Sequence, residues 1–91
     1  VAKLIVLYHI MSLYIYDETG QSHHTPHVNV RLNDGRSGNI SIINGDSLNG
    51  NLPSRVIRAV KDFLGENRDY VIECWNKAQE GEKFEKMEDI S

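Results

Sequence analysis

The feature that most restricts this chain is a change of hydrophobic period at Pro53. Before it, apolar residues recur at every second position; after it, they recur every three or four. A period of two sends alternate side chains to opposite faces of a strand, whereas residues three and four apart share one face of a helix. Ninety-one residues are enough for one hydrophobic core, so the two halves have to share it. The expected fold class is α+β, an antiparallel β meander of three to five strands packed against two C-terminal helices. The expected organisation is a single domain over 1–91. Its parts are a β-rich half at 1–50, a helical half at 51–81 and a tail at 82–91.

Within the β half, Leu4 to Met11 and Leu13 to Tyr16 are dense in Ile, Val, Leu and Tyr and suit one or two strands. Leu13 and Ile15 alternate there with Tyr14 and Tyr16. The polar run "DETGQSHHTP" breaks the pattern and reads as a loop, punctuated by Gly20 and Pro26. Alternation returns at His27, with Val28, Val30 and Leu32 on one side and His27, Asn29 and Arg31 on the other. This predicts a half-buried strand with a polar outer face. "NDG" at 33–35 signals a hairpin, because such pairs supply the positive φ of a tight turn. "GNISIIN" gives the next strand, and Gly45 and Gly50 bracket a last short one.

In the helical half, Pro53 suits a first helical turn, where its missing N–H has no partner to lose. Val56, Ile57, Val60, Phe63 and Leu64 form one apolar stripe. Gly65 then predicts an end or a bend, and Asn67 the N-cap of a second helix with Val71, Ile72, Trp75 and Ala78 inside. Gly81 reads as its stop. The tail places Phe84, Met87 and Ile90 three apart, which leaves docking across the domain and mobility both open.

Composition limits the function. A net charge of −3 and a pI near 5.7 make nucleic acid the less expected partner, since phosphate binding favours a basic domain. Nothing approaches the roughly 18 consecutive apolar residues of a membrane span. The opening "VAKLIVLYHIM" reads as a strand, not a signal peptide, because it lacks a small-residue cleavage site. The single Cys74 offers no intrachain disulfide and no thiolate metal cluster, which points to a reducing, cytoplasmic setting and a quiet thiol. No cofactor is implied.

Three of the four histidines lie within five residues, at His23, His24 and His27. Converging imidazoles suit zinc, copper or nickel, and Asp17, Glu18 or Asp34 would complete a shell. The spacing matches no standard zinc signature, so His24 and His27 are weak metal candidates beside a plain histidine-bearing turn. As catalytic candidates, His24 and His27 would move protons and Arg31 would steady a phosphorane-like transition state, in the manner of a small ribonuclease. As a binding surface, His27, Asn29 and Arg31 would form an exposed strand face. Arg55 and Arg58, with Lys61 and Arg68, would add basic helix positions, diluted by Asp62, Glu66 and Asp69.

The segments "LYIYDETGQSHHTPHVNVR" and "LPSRVIRAVKDFLGENRDYVIECWNKAQEGEKFEKMEDI" resemble the small bacterial family known as domain of unknown function 4160. The likeness runs from Leu13 to Ile90. His24, Pro26 and His27 fall on the family's histidine–proline turn, Leu52, Pro53 and Arg55 on its helix start, and Asn67, Arg68 and Trp75 on its second helix. Thr25 stands where the family has its first proline, and Asn29 where it has its last histidine. The resemblance implies a small module paired with another small protein encoded nearby, in toxin–antitoxin-like systems. The Asn29 departure implies binding in place of metal or catalytic chemistry. The leading expectation is therefore a protein-interaction module, with a homodimer through a sheet edge as a further arrangement. The alternative is a histidine-dependent ribonuclease-like or metal-binding toxin.

Overall fold

The computed structural model describes residues 1–17 and 25–91. Its elements are β1 (Ala2–Leu7), β2 (Met11–Ile15), β3 (His27–Leu32), β4 (Ser37–Ser41), β5 (Ser47–Gly50) and α1 (Ser54–Gln79). The strands form one sheet in chain order, each antiparallel to its neighbour. The helix covers one face. None of the described helices is long and apolar enough to cross a membrane.

Register decides which side chains meet the helix. Leu13 sits opposite Val30, and Val28 opposite Ile40, all fully buried. They close on the Val56, Val60, Phe63, Leu64, Val71, Cys74 and Trp75 side chains of α1. A register shift between Lys3 and Ile5 lets two consecutive residues, Leu4 and Ile5, both turn into the core. Gly38 is required by close approach, since a Cβ there would meet the Asn49 carbonyl at 2.6 Å.

β1 and β2 are joined by a tight turn in which Tyr8 (φ 54°) and His9 (φ 61°) both adopt the left-handed conformation. That geometry matches the twist of a hairpin but disfavours residues other than Gly, Asn and Asp. The Ile10 N–H closes the turn on the Leu7 carbonyl. Asn33 buttresses it, donating its side-chain N–H to the His9 carbonyl at 2.7 Å and its backbone N–H to that of Ile10.

The helical half departs from the expected pair. A single helix of 26 residues runs through Gly65, and the non-helical Asn67 (φ −126°, ψ 18°) marks a kink inside it, where the second helix was expected to start. The apolar stripe explains the continuity: Val60, Leu64, Val71, Cys74, Trp75 and Ala78 keep one face in phase across the kink, so burial holds both segments on the same sheet. Asn67 makes up for the disturbed ladder by donating its side-chain N–H to the Phe63 carbonyl at 2.9 Å. The helix ends at Gly81 (φ 76°), where the Gly81 N–H bonds the Ala78 carbonyl and the Glu82 N–H that of Lys77.

The tail docks. It runs parallel to β1, with Ile90 bridged to Leu7, and packs Phe84 and Met87 against the core.

Candidate functional site

On the sheet face away from the helix, register lines up one residue from every strand. Lys3 pairs with Tyr14, Tyr14 with Asn29, Asn29 with Asn39, and Asn39 with Asn49. Beside this row, Ser12 pairs with Arg31 and Arg31 with Ser37. Period two forces the arrangement, because these residues occupy the positions between the buried Leu13, Val28, Val30 and Ile40.

The row is hydrogen-bonded across the strands. The Asn29 side chain donates to the Asn39 side-chain oxygen at 3.0 Å, and the Asn49 side-chain oxygen accepts the Asn39 backbone N–H at 3.2 Å. Arg31 is fixed from several sides. Its Nε donates to Asn29 Oδ1 at 3.0 Å, its Nη2 bonds the Tyr16 hydroxyl, and its guanidinium carbon lies 4.6 Å from the Tyr14 ring centroid and 5.7 Å from that of Tyr16. Lys3 places its ammonium 5.8 Å from the same Tyr14 centroid. Cation–ring contacts of this kind are worth about 0.5–1 kcal/mol each at exposed sites.

Among the described residues, no carboxylate pairs with Arg31. A guanidinium has five N–H donors in a planar fork. Two are committed here, so the rest stay available on a side chain whose conformation is already set. Lys3 and Arg31 give the row two cations and no acid, in a chain of net charge −3. Histidine and cysteine are absent from the row too. Such a row can donate hydrogen bonds and attract a negatively charged group.

His27 does not join Asn29 and Arg31 as the strand alternation implied. It is buried, its ring centroid lies 5.0 Å from that of Trp75 on α1, and its Nδ1 bonds the Thr25 carbonyl at 2.8 Å. A carbonyl only accepts, so Nδ1 carries the proton in that bond. The physical reason for the departure is the apolar contact: at the first residue of β3 the imidazole reaches Trp75 and adds to the core's rim. His23 and His24 lie outside the described residues. No group of three or more His, Cys, Asp or Glu side chains able to hold a metal ion occurs among the described residues. Asp34 is engaged by Arg36 at 2.7 Å, and the hydrogen bonds from Arg36 hold its carboxyl below the ordinary carboxylate value.

Arg55 and Arg58 are exposed on the first turns of α1, on the helix side of the sheet, away from the Asn29–Arg31 face. Arg55 borders a 230 Å³ cleft with Ile10, Leu32 and Asp34. Arg68 is a tie, not a surface cation: its Nε donates to the Ile42 carbonyl at 2.8 Å and fixes the far half of the helix to the end of β4. Cys74 is buried, and burial pushes its thiol above the ordinary value, away from the reactive thiolate.

Five contributors to this face were not singled out from the sequence: Tyr14, Tyr16, Lys3, Asn39 and Asn49. The first two were legible as the outward phase of β2. The asparagines needed the strand register.

The face thus belongs to a sheet-and-helix domain with one side covered by the helix and the other open. Residues 11–76 match the family described as Domain of unknown function (DUF4160), and the chain belongs to it. No curated protein and no solved structure matches the chain. The matched segment takes in β2 through most of α1 and leaves β1 and the tail outside.

Proposed function

We propose that this protein is a protein-interaction module of a bacterial, cytoplasmic, toxin–antitoxin-like pair, and that its partner is a small protein encoded beside it. The contact surface is the open sheet face centred on Arg31, with Tyr14, Tyr16, Asn29 and Asn39 around it. One observation carries the reading: Arg31 is ordered by two hydrogen bonds and two aromatic rings yet has no acid of its own among the described residues. An arginine held in place before binding loses little freedom when a partner carboxylate closes on it, and such arginines are enriched among interface hot spots. Base stacking by a nucleic acid is less favoured, because Arg31 and Lys3 already lie over the Tyr14 ring. The histidine-dependent alternative needs His27 and Arg31 to act together, whereas each is held by a different set of neighbours.

Co-expression with the neighbouring protein tests the proposal. A stoichiometric complex is expected on gel filtration, lost with Arg31→Glu and kept with Arg58→Glu. A complex indifferent to Arg31→Glu contradicts the chosen surface, and no complex at all contradicts the partner.

A further inference from the structure

A sheet with two edges normally leaves two rows of unpaired backbone groups, and proteins guard them. Here β5 is four residues long and exposed throughout. β1 is treated differently. The Met87 N–H donates to the Leu4 carbonyl at 2.8 Å, the Ile90 N–H to the Val6 carbonyl at 3.0 Å, and the Tyr8 N–H to the Ile90 carbonyl at 2.5 Å. The Val6 N–H is taken by the Asp89 carboxylate at 2.9 Å. Four backbone groups of the β1 edge, from Leu4 to Tyr8, are therefore filled by a segment that is itself almost devoid of secondary structure.

The seat is selective. Phe84 and Met87 are partly buried against the core, three residues apart, and Asp89 supplies one carboxylate oxygen to a backbone N–H. Ile90 bridges to Leu7 but keeps 40% of its surface exposed. The tether, residues 80–83, includes Gly81 and contains neither helix nor strand. Four residues span up to roughly 13–14 Å when extended, so the tail can leave its seat without disturbing the helix. Both halves of the contact, β1 and the tail, fall outside the segment matched to the family, 11–76.

We propose that the β1 edge is a strand-acceptor site for a partner protein segment with apolar residues three apart and a carboxylate just before the last of them, and that the tail is its built-in competitor. The tail itself shows the chemistry the edge accepts: parallel main-chain pairing gives affinity, the Phe84 and Met87 seats give selectivity, and the carboxylate fixes register on Val6. A short flexible tether presents the tail at an effective concentration of about millimolar, so only a segment that binds tightly or arrives at high local concentration displaces it. This is a second surface, at the edge of the sheet, and it does not depend on the Arg31 face.

The test uses the full chain and, as probe, a fluorescein-labelled peptide with the sequence of residues 82–91, EKFEKMEDIS. Fluorescence anisotropy is measured for the wild-type chain and for Met87→Asp, with Ile90→Asp as a second variant at an exposed position. Hydrogen exchange at the Val6 and Tyr8 amides reports whether the edge is open. The proposal expects faster exchange in the variants and peptide binding at least about tenfold tighter than to wild type, because the cis competitor is weakened. It also expects no binding of a peptide with Asp at the position of Met87. Equal weak binding to all chains despite open amides overturns it, as do amides that stay protected in both variants. Variants that self-associate instead of binding peptide, read by light scattering, overturn the choice of occupant in favour of a second copy.

Discussion

The two faces of the sheet come from the same strands and follow different rules. On the helix side, Leu13, Val28, Val30 and Ile40 are fully buried and make no polar contact; burial of apolar area holds them. On the open side, Tyr14, Asn29, Arg31 and Asn39, their immediate neighbours, are tied by hydrogen bonds and cation–ring contacts while keeping access to solvent. One face is specified by volume, the other by geometry. Stability therefore resides on the first, and the second is free to carry the proposed recognition.

Substitutions at adjacent residues of β2 should expose this contrast most strongly. Leu13→Ala removes a fully buried side chain and is expected to cost about 2–5 kcal/mol, whereas Ser12→Ala on the opposite face should stay within about 0.5 kcal/mol. Urea unfolding of the two variants measures the difference; comparable losses would break the division. Asn67→Ala comes next. It leaves the Phe63 carbonyl without its side-chain partner, with an expected loss of about 0.5–1.5 kcal/mol in the same assay. Arg31→Ala should lower stability by less than about 1 kcal/mol, since its contacts are exposed, while removing the anchor proposed for the partner. A large stability loss there would mean that the open face is structural.

The smallest effect concerns the tail and depends on pH. Asp89 is held below the ordinary carboxylate value of 3.8, first by the Lys86 ammonium and then by the Val6 N–H. A pKa depressed in the folded state contributes stability above the unfolded value, and that contribution is lost as pH falls through the depressed one. Tail docking should therefore be constant from pH 5 to 8 and weaken below 3.8, read from the NMR shift of the Val6 amide. Loosening on going from pH 5 to 8 would contradict the carboxylate's part in the seat.

Much of the fold was legible because period-two and period-3.6 patterns are direct consequences of burial. The outward phase of β3 gave Asn29 and Arg31 correctly as neighbours on one face. His27 escaped the same pattern because at a strand end a side chain can leave its row for an apolar neighbour, here Trp75, that only the tertiary fold brings near. The helix pair became one helix because Gly65 is tolerated on an exposed position with open space around it, while a continuous apolar stripe keeps both segments seated. The Tyr8–His9 turn carried no local signal at all; Asn33, distant in sequence, helps to hold it. The asparagine row could not be read without register, since each strand contributes one residue.

Chemical-shift mapping with the proposed partner would show which face of the sheet binds. With ¹⁵N-labelled chain and the unlabelled proposed partner, perturbations are expected to gather on Ser12, Tyr14, Asn29, Asn39 and the Arg31 Nε–H, leaving the exposed positions of α1 unmoved. Perturbations centred on Arg55 and Arg58, with the Arg31 Nε–H unchanged, would contradict it.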